Sequence, residues 1–300
     1  MNLSIVIVSY ESYHLIEKII LATQNKFEVI VIENSLDINL KNKLETKYTN
    51  IQVIIPSKNL GYAKSINLGL KKAKNKFVFF MAADVEISTK SFTELSNLVD
   101  TFNDFTMLAP TYFNEKIYKN YVFKKKDLGK KIRKINDYNL IEVEEIDGAA
   151  FIINKNKIDT NEIMDEKFFL YYESSDLCLR FRKEGKKLFV VDNCKFIHYG
   201  TKSSHPDIKI DIQISRNWHY CWSKFYFFNK HFGYFTGIRK TLPNLRKALT
   251  MCFINFLKND KHLFKLHKAE LSGLINSYFL KKSFYRILKD KKLEKIRKVD

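Results

Sequence analysis

The stretch that decides the fold is Ser4-Ile5-Val6-Ile7-Val8, followed at once by Ser9-Tyr10-Glu11. Its four branched apolar residues run without polar alternation, as in a strand buried on both faces of a parallel sheet. Working outward, Ser12 stands where it can cap a helix whose Leu15, Ile16, Ile19 and Ile20 recur at helical spacing. Val29-Ile30-Val31-Ile32 and Ile51 to Ile55 repeat the buried-strand pattern. Gly61 to Ala73 reads as a helix and Phe77 to Met81 as a fourth strand. This alternation predicts an α/β fold, Rossmann-like, with a mostly parallel central sheet flanked by helices. Ligands in such sheets sit beyond the carboxyl ends of the strands. The places to look are therefore Ser9–Glu11, Glu33–Asn34, Ser57–Gly61 and Ala82–Asp84.

Further along, Phe92 to Asn103 predicts a helix and Tyr112 to Asn139 a basic, tyrosine-rich loop or hairpin insertion. Ile146 to Ile153 predicts a strand with Gly148 inside it, a frequent sign of close backbone approach. Leu188 to Val191 and Phe196 to Tyr199 read as two short strands, and Phe168 to Arg182 holds the acidic cluster Glu173 and Asp176. From Asp211 the pattern turns helical, with Trp218, Trp222, Phe225, Phe228 and Phe232 among lysines. The expected division is 1–210 for the α/β domain and 211–300 for a C-terminal helical extension.

Composition narrows the classes. With 300 residues, 45% of them hydrophobic, and four prolines, the chain can bury a real core and is no disordered polymer. Lys and Arg number 52 against 33 Asp and Glu, a net charge of +19. Residues 201–300 carry 22 basic and 7 acidic side chains, so +15 of that charge sits in the last third. Such a region suits an anionic membrane surface or a nucleic acid. Nucleic acid is disfavoured, because no RNP-like aromatic signature, helix-turn-helix or zinc motif accompanies the charge. Cys178, Cys194, Cys221 and Cys252 are single and widely spaced, which argues against zinc and for a reducing compartment. The start lacks a basic leader region and no run approaches a spanning helix. A cytoplasmic protein, with the inner face of the cytoplasmic membrane as a peripheral site, is the expectation.

Several strand ends carry chemistry. Glu33 and Asn34 could hydrogen-bond a base or ribose, or simply end a strand in a turn. Asn59 to Gly69 is a glycine-containing turn entering a helix whose first amides can face phosphate. It has neither Gly-x-Gly-x-x-Gly nor Walker spacing. Asp84 follows an apolar strand, where a carboxylate suits Mg²⁺ or Mn²⁺ bridging to substrate phosphates, or caps a helix. Glu173 and Asp176 lie three apart and would share a helix face.

Taken in order, seven segments resemble the family 2 (GT-A fold) glycosyltransferases, and among them the rhamnosyltransferase-like enzymes of surface polysaccharides. They are Ile5 to Tyr10, Val31 to Ser35, Asn59 to Gly69, Phe80 to Val85, Asp147 to Phe151, and Phe168 to Arg180 with Phe196 to Tyr199 after it. The resemblance spans about residues 3–205. It implies a metal-assisted, inverting transfer of a sugar, rhamnose being one candidate, from a nucleotide-diphosphate donor to a glycan or lipid-linked acceptor. By position, Ser9, Glu11 and Glu33 would line the base and ribose, and Asn59, Gly61 and Asn67 would shape the donor side. Asp84 and His198 would hold the divalent cation, Mg²⁺ or Mn²⁺. Gly148 and Ala149 would let the acceptor approach, and Glu173 and Asp176 would bind it and supply the base. Two positions depart from the family pattern: Ala82 replaces an acid or amide, and Ser174 stands where the base commonly is. Ser174 is no base near neutral pH, so Glu173 is the favoured base and Asp176 the orienting group. A degenerate member that binds nucleotide sugar or glycan without turnover is the alternative. A basic nucleic-acid-binding scaffold is a further one.

Overall fold

The computed structural model describes residues 2–113, 120–122, 132–200, 209–287 and 290. The chain forms two compact units. One comprises Met1–Asn59, Lys64–Met164 and Ser174–Ser204, and the other Leu60–Ala63, Asp165–Glu173 and His205–Asp300.

The first unit is built on a sheet that, among the described residues, has ten strands. Strands β1 (Leu3–Ser9), β2 (Glu28–Glu33), β3 (Ile51–Ile54) and β4 (Phe77–Ala82) are parallel neighbours in the order β3-β2-β1-β4. The sheet continues through β11 (Ala150–Asn154), β6 (Met107–Phe113), β12 (Leu188–His198), β9 (Tyr138–Glu142) and β8 (Ile132–Ile135). Strand β11 is antiparallel to both β4 and β6, and β12 runs parallel to β6. The carboxyl ends of β1, β2, β4 and β12 therefore share one sheet edge. Three short strands complete the unit: β5 (Val85–Glu86) pairs with β12, and β7 (Tyr121–Val122) forms a separate two-stranded sheet with β10 (Glu145–Ile146). Helices α1 (Tyr13–Ala22), α2 (Ile38–Lys47), α3 (Gly61–Lys72), α4 (Thr89–Thr101) and α5 (Glu173–Lys183) interleave with the strands. Ile5, Val6, Ile30, Phe79 and Phe80 are fully buried, as their unbroken apolar runs require.

Several expectations need correction. Ser12 holds the N-cap position of α1, but its hydroxyl donates back to the Tyr10 carbonyl and makes no side-chain cap. Helix α2 is an addition, opened by Asp37, whose carboxylate accepts from the Asn39 and Leu40 amides. Strand β6 is a second addition, whereas β8 and β9 bear out the hairpin alternative for Tyr112 to Asn139, with β9 running on to Glu142. Residues 114–119 and 123–131 of that stretch lie outside the described residues. Gly148 is not inside a strand: it lies in the turn between β10 and β11. The two short strands at the C-terminal side are one strand, β12, with Asp192, Asn193 and Cys194 looped out between Val191 and Lys195. Thr111 fixes that bulge by donating to the Asp192 and Cys194 carbonyls.

The second unit is helical: α6 (Lys209–Phe232), α7 (Tyr234–Leu257) and α8 (Lys261–Tyr278). Trp218 is fully buried, stacks on Trp222 at 6.5 Å and donates its indole N–H to Ser272 on α8. A Cβ at Gly273 would overlap the Trp218 carbonyl oxygen, so glycine permits α6 and α8 to approach this closely. Thr241 on α7 meets the Tyr278 hydroxyl at 2.9 Å.

Candidate active site

The pairing of β1 with β2 ends at Ser9 opposite Glu33, and that of β1 with β4 ends at Val8 opposite Ala82. Ser9 and Glu33 are buried. Ser9 Oγ donates to Glu33 Oε2 at 2.6 Å, while the Ser35 and Glu11 amides donate to Oε1 at 2.7 and 3.4 Å. Burial pushes the Glu33 carboxyl above its ordinary range, and the hydrogen bonds from Ser35 and Ser9 oppose that shift. Glu33 thus braces the loops after β1 and β2. Glu11 is half-buried at this edge, with a left-handed backbone (φ 57°). The neighbouring Asn34 ties the end of β2 to α3 by donating to Ser65 Oγ at 2.9 Å.

Asp84 lies in the two-residue turn, Ala83-Asp84, between β4 and β5. The next residue, Val85, pairs with His198 at the end of β12, and the Tyr199 amide donates to the Asp84 carbonyl at 3.1 Å. The Tyr199 hydroxyl closes the latch by donating to Glu86 at 2.9 Å. This two-strand contact brings Asp84 Oδ1 within 3.6 Å of His198 Nε2. The Tyr112 ring lies edge-on to His198 at 5.5 Å, and Leu15, Lys18, Asp84, Glu86 and Tyr199 line a small cleft beside the pair.

The pair fits a divalent cation. At about 2.1 Å per bond, two ligands of one ion lie at most about 4.2 Å apart, and 3.6 Å is within that reach. Asp84 supplies a carboxylate, the ligand type that suits Mg²⁺ or Mn²⁺, and His198 adds a nitrogen ligand. Among the described residues no group of three or more His, Cys, Asp and Glu gathers to hold a metal. Ala82 offers no donor and gives its amide to the Ala149 carbonyl at 2.8 Å. The remaining coordination positions would fall to phosphate oxygens and water.

Other expected residues have clear places. Asp147 accepts from the Ala149 amide at 2.9 Å, which holds Gly148 and Ala149 in a turn at the same sheet edge. Asn67 clamps Met164 by two bonds, accepting from its amide at 2.9 Å and donating to its carbonyl at 3.0 Å. The Asn67 side chain therefore fixes the chain at Met164. Asn59 is buried. Within the helical unit, Gly61 abuts Phe169 so closely that a Cβ would overlap its ring and carbonyl, and Tyr62 N–H donates to that carbonyl at 2.7 Å.

Glu173 opens α5, is buried, and follows Tyr171 and Tyr172, both in the left-handed region (φ 69° and 66°). Asp176, one turn on, is fully buried and bound by Arg180 Nε at 2.8 Å. The same guanidinium donates to the Ile163 carbonyl. Ser175 donates to Glu145 and Arg182 pairs with Glu144 at 2.6 Å, so α5 is anchored on both sides. The segment before α5 is tied to α6: Asp165 accepts from Tyr226 and Lys230, each at 2.8 Å, and Leu170 from Ser223 at 2.9 Å.

A family model described as Glycosyl transferase family 2 matches residues 4–160, more than half of the chain. The chain belongs to glycosyl transferase family 2. Over 196 residues this family 2 chain is 26% identical to the low-salt glycan biosynthesis hexosyltransferase Agl10 of Haloferax volcanii, covering 61% of the chain and 62% of that protein. Over 184 residues it is 26% identical to the dTDP-rhamnosyl transferase RfbF of Shigella flexneri, covering 58% and 61%. These matches span less than two thirds of the curated relatives. Among solved structures, the mannosyltransferase PcManGT of Pyrobaculum calidifontis, in complex with GDP-Man and Mn²⁺, aligns with TM-score 0.55 at 10% identity over 94% of this chain and 88% of that one. GalNAc-T7 with UDP, GalNAc and Mn²⁺ aligns with TM-score 0.55 at 14% identity over 78% and 52%. Both likenesses show the same GT-A fold.

Two contributors were given no role in the sequence reading. Arg180 is visible there as a cation four residues after Asp176, the spacing of a helical ion pair. Tyr199 gives no comparable signal, because its amide and hydroxyl act across strands distant in sequence.

Proposed function

We propose that this chain transfers a sugar, with inversion, from a nucleotide-diphosphate donor to a hydroxyl of a glycan or lipid-linked acceptor. The observation that carries this reading is the Asp84–His198 pair at the strand-end edge of a family 2 domain. Rhamnose or a hexose as the sugar is supported by the names of the two curated relatives. The bound cation would supply electrostatic stabilisation of the leaving diphosphate. Asp84 and His198 hold it, kept in place by the Tyr199 latch. Glu11 reaches the nucleotide, on loops that Glu33 and Ser9 brace from beneath. Gly148 and Ala149 leave the acceptor room to approach. Glu173 takes the proton from the attacking hydroxyl, and Asp176, held by Arg180, sets the orientation of the helix that carries it.

A binding-only reading draws on one observation, the engagement of Asp176 by Arg180, and on the resemblance, by which Ser174 stands where the base commonly is. The two are separated by transfer assays with nucleotide sugars and Mn²⁺. Glu173→Gln is expected to lower kcat by about 10²–10⁴-fold, the usual contribution of a positioned base, with donor binding retained. Full turnover in Glu173→Gln, together with loss in Asp176→Asn, would reverse the two roles. No turnover with any nucleotide sugar that binds would favour the binding-only reading.

A further inference from the structure

Helix α7 has an inner and an outer face of different character. Its inner face is closed within the helical unit: Gly237 meets the Phe225 ring, Thr241 meets Tyr278, and Ala248 is fully buried. The outer face carries Phe235, Arg239, Arg246, Leu249, Phe253 and Leu257 at helical spacing, all exposed. Phe235 is 87% exposed and Phe256, beside this row, 71%. Lys240 and Lys247 flank it, and α7 contains no acidic residue. At its end the chain turns through Lys258 into α8, which adds exposed Lys261, Leu263 and Lys265. With 24 residues at 1.5 Å each, the face is about 36 Å long. No helix among the described residues is long and apolar enough to cross a membrane.

Large apolar side chains set among basic ones on one face of a helix are the pattern of a segment that lies in a bilayer interface. The long basic side chains can extend to headgroup phosphates while the rings reach the acyl boundary. A nucleic acid would use the charges but gives Leu249 and Leu257 nothing to bury against. A second copy of the chain would set basic face against basic face, with no acid on α7 to answer it.

We propose that the outer face of α7, with the turn into α8, docks on an anionic lipid bilayer. Leu249, Phe253, Phe256 and Leu257 enter the interface, and Arg246, Lys247 and Lys258 contact phosphate headgroups. The surface is independent of the sugar-transfer reading, because vesicle binding is measured without donor or acceptor; failure of either leaves the other standing.

The test is sedimentation of the full chain with phosphatidylcholine vesicles, with and without phosphatidylglycerol. Binding is expected to the anionic vesicles and to weaken as salt is raised. F253S/F256S should lower partitioning at least tenfold. R246Q/K247Q should lower it by about fivefold per charge removed. These side chains are exposed, so thermal unfolding of both variants should match the native chain; should the aromatic variant unfold, the charge variant decides. Equal binding to both vesicle types, no binding, or native binding by the foldable variants would overturn the proposal. So would tighter binding to duplex DNA that competes with vesicles, which points to a nucleic acid. A solution dimer that F253S/F256S dissolves would identify the face as a contact between two copies.

Discussion

The two units handle buried polarity with different balances. In the α/β unit, burial is used to hold charge: Glu33 is enclosed by Ser9 and the Ser35 amide, Asp176 by Arg180, and Glu144 by Arg182. In the helical unit the polar side chains with no exposure at all, His219, Ser223 and Thr241, are uncharged, its buried acids are Glu173 and Asp290, and aromatic rings and small residues fill the core. His219 shows the cost of charge there. Burial, then the neighbouring Arg286, pushes its pKa down to about 3. Its Nε2 faces the Tyr285 carbonyl and its Nδ1 the Ser283 hydroxyl, so the neutral ring carries its proton on Nε2. The α/β unit therefore encloses several braced or paired charges, and the helical unit leaves Arg239, Lys240, Arg246 and Lys247 of α7 outside, where a surface can meet them.

Three changes sharpen or break this contrast. The largest effect is expected from Arg180→Ala, which removes the cation paired with the fully buried Asp176 carboxylate and should cost about 3–5 kcal/mol in chemical denaturation. A loss below about 1 kcal/mol would mean that the α/β unit does not depend on this pairing. Next, His219 titrates at the ordinary value of 6.5 when unfolded and about 3 when folded. The unfolded state then binds the extra proton between those values, so native stability should fall as pH drops from about 6.5 towards 3. His219→Gln should flatten that slope, and an unchanged slope would show that the ring is charged in the fold. The smallest effect belongs to Gly273→Ala, which forces α6 and α8 apart at Trp218 and should destabilise by about 1–3 kcal/mol.

The central strands are open to reading because β1, β2 and β4 need unbroken apolar runs, branched in the first two and aromatic in β4, to lie buried on both faces. Strand β12 was divided in two because Asp192, Asn193 and Cys194 interrupt its apolar run, while Thr111, far away in sequence, holds the bulge together. Helix α2 buries Leu40 and Leu44 against an otherwise polar surface, too thin a stripe to register, although Asp37 gives a start signal. At the site, Asp84 was marked by its place after a strand, and His198 by the order of motifs. Their approach depends on β5 pairing with β12, a contact that local periodicity does not carry. The Asn67 side chain adds a role that local sequence does not carry: its amide holds the backbone of Met164, 97 residues away.

The central claim is that Asp84 and His198 form a cation site that works with a nucleotide diphosphate. Thermal unfolding of the native chain and of Asp84→Ala, with UDP, GDP or dTDP and with Mn²⁺ or EDTA, tests it directly. A ligand that binds only the folded state raises the unfolding midpoint. The account predicts a rise for the native chain with at least one nucleotide and Mn²⁺ together, lost in EDTA and lost in Asp84→Ala. A nucleotide shift of equal size with EDTA, or one retained by Asp84→Ala, would contradict it.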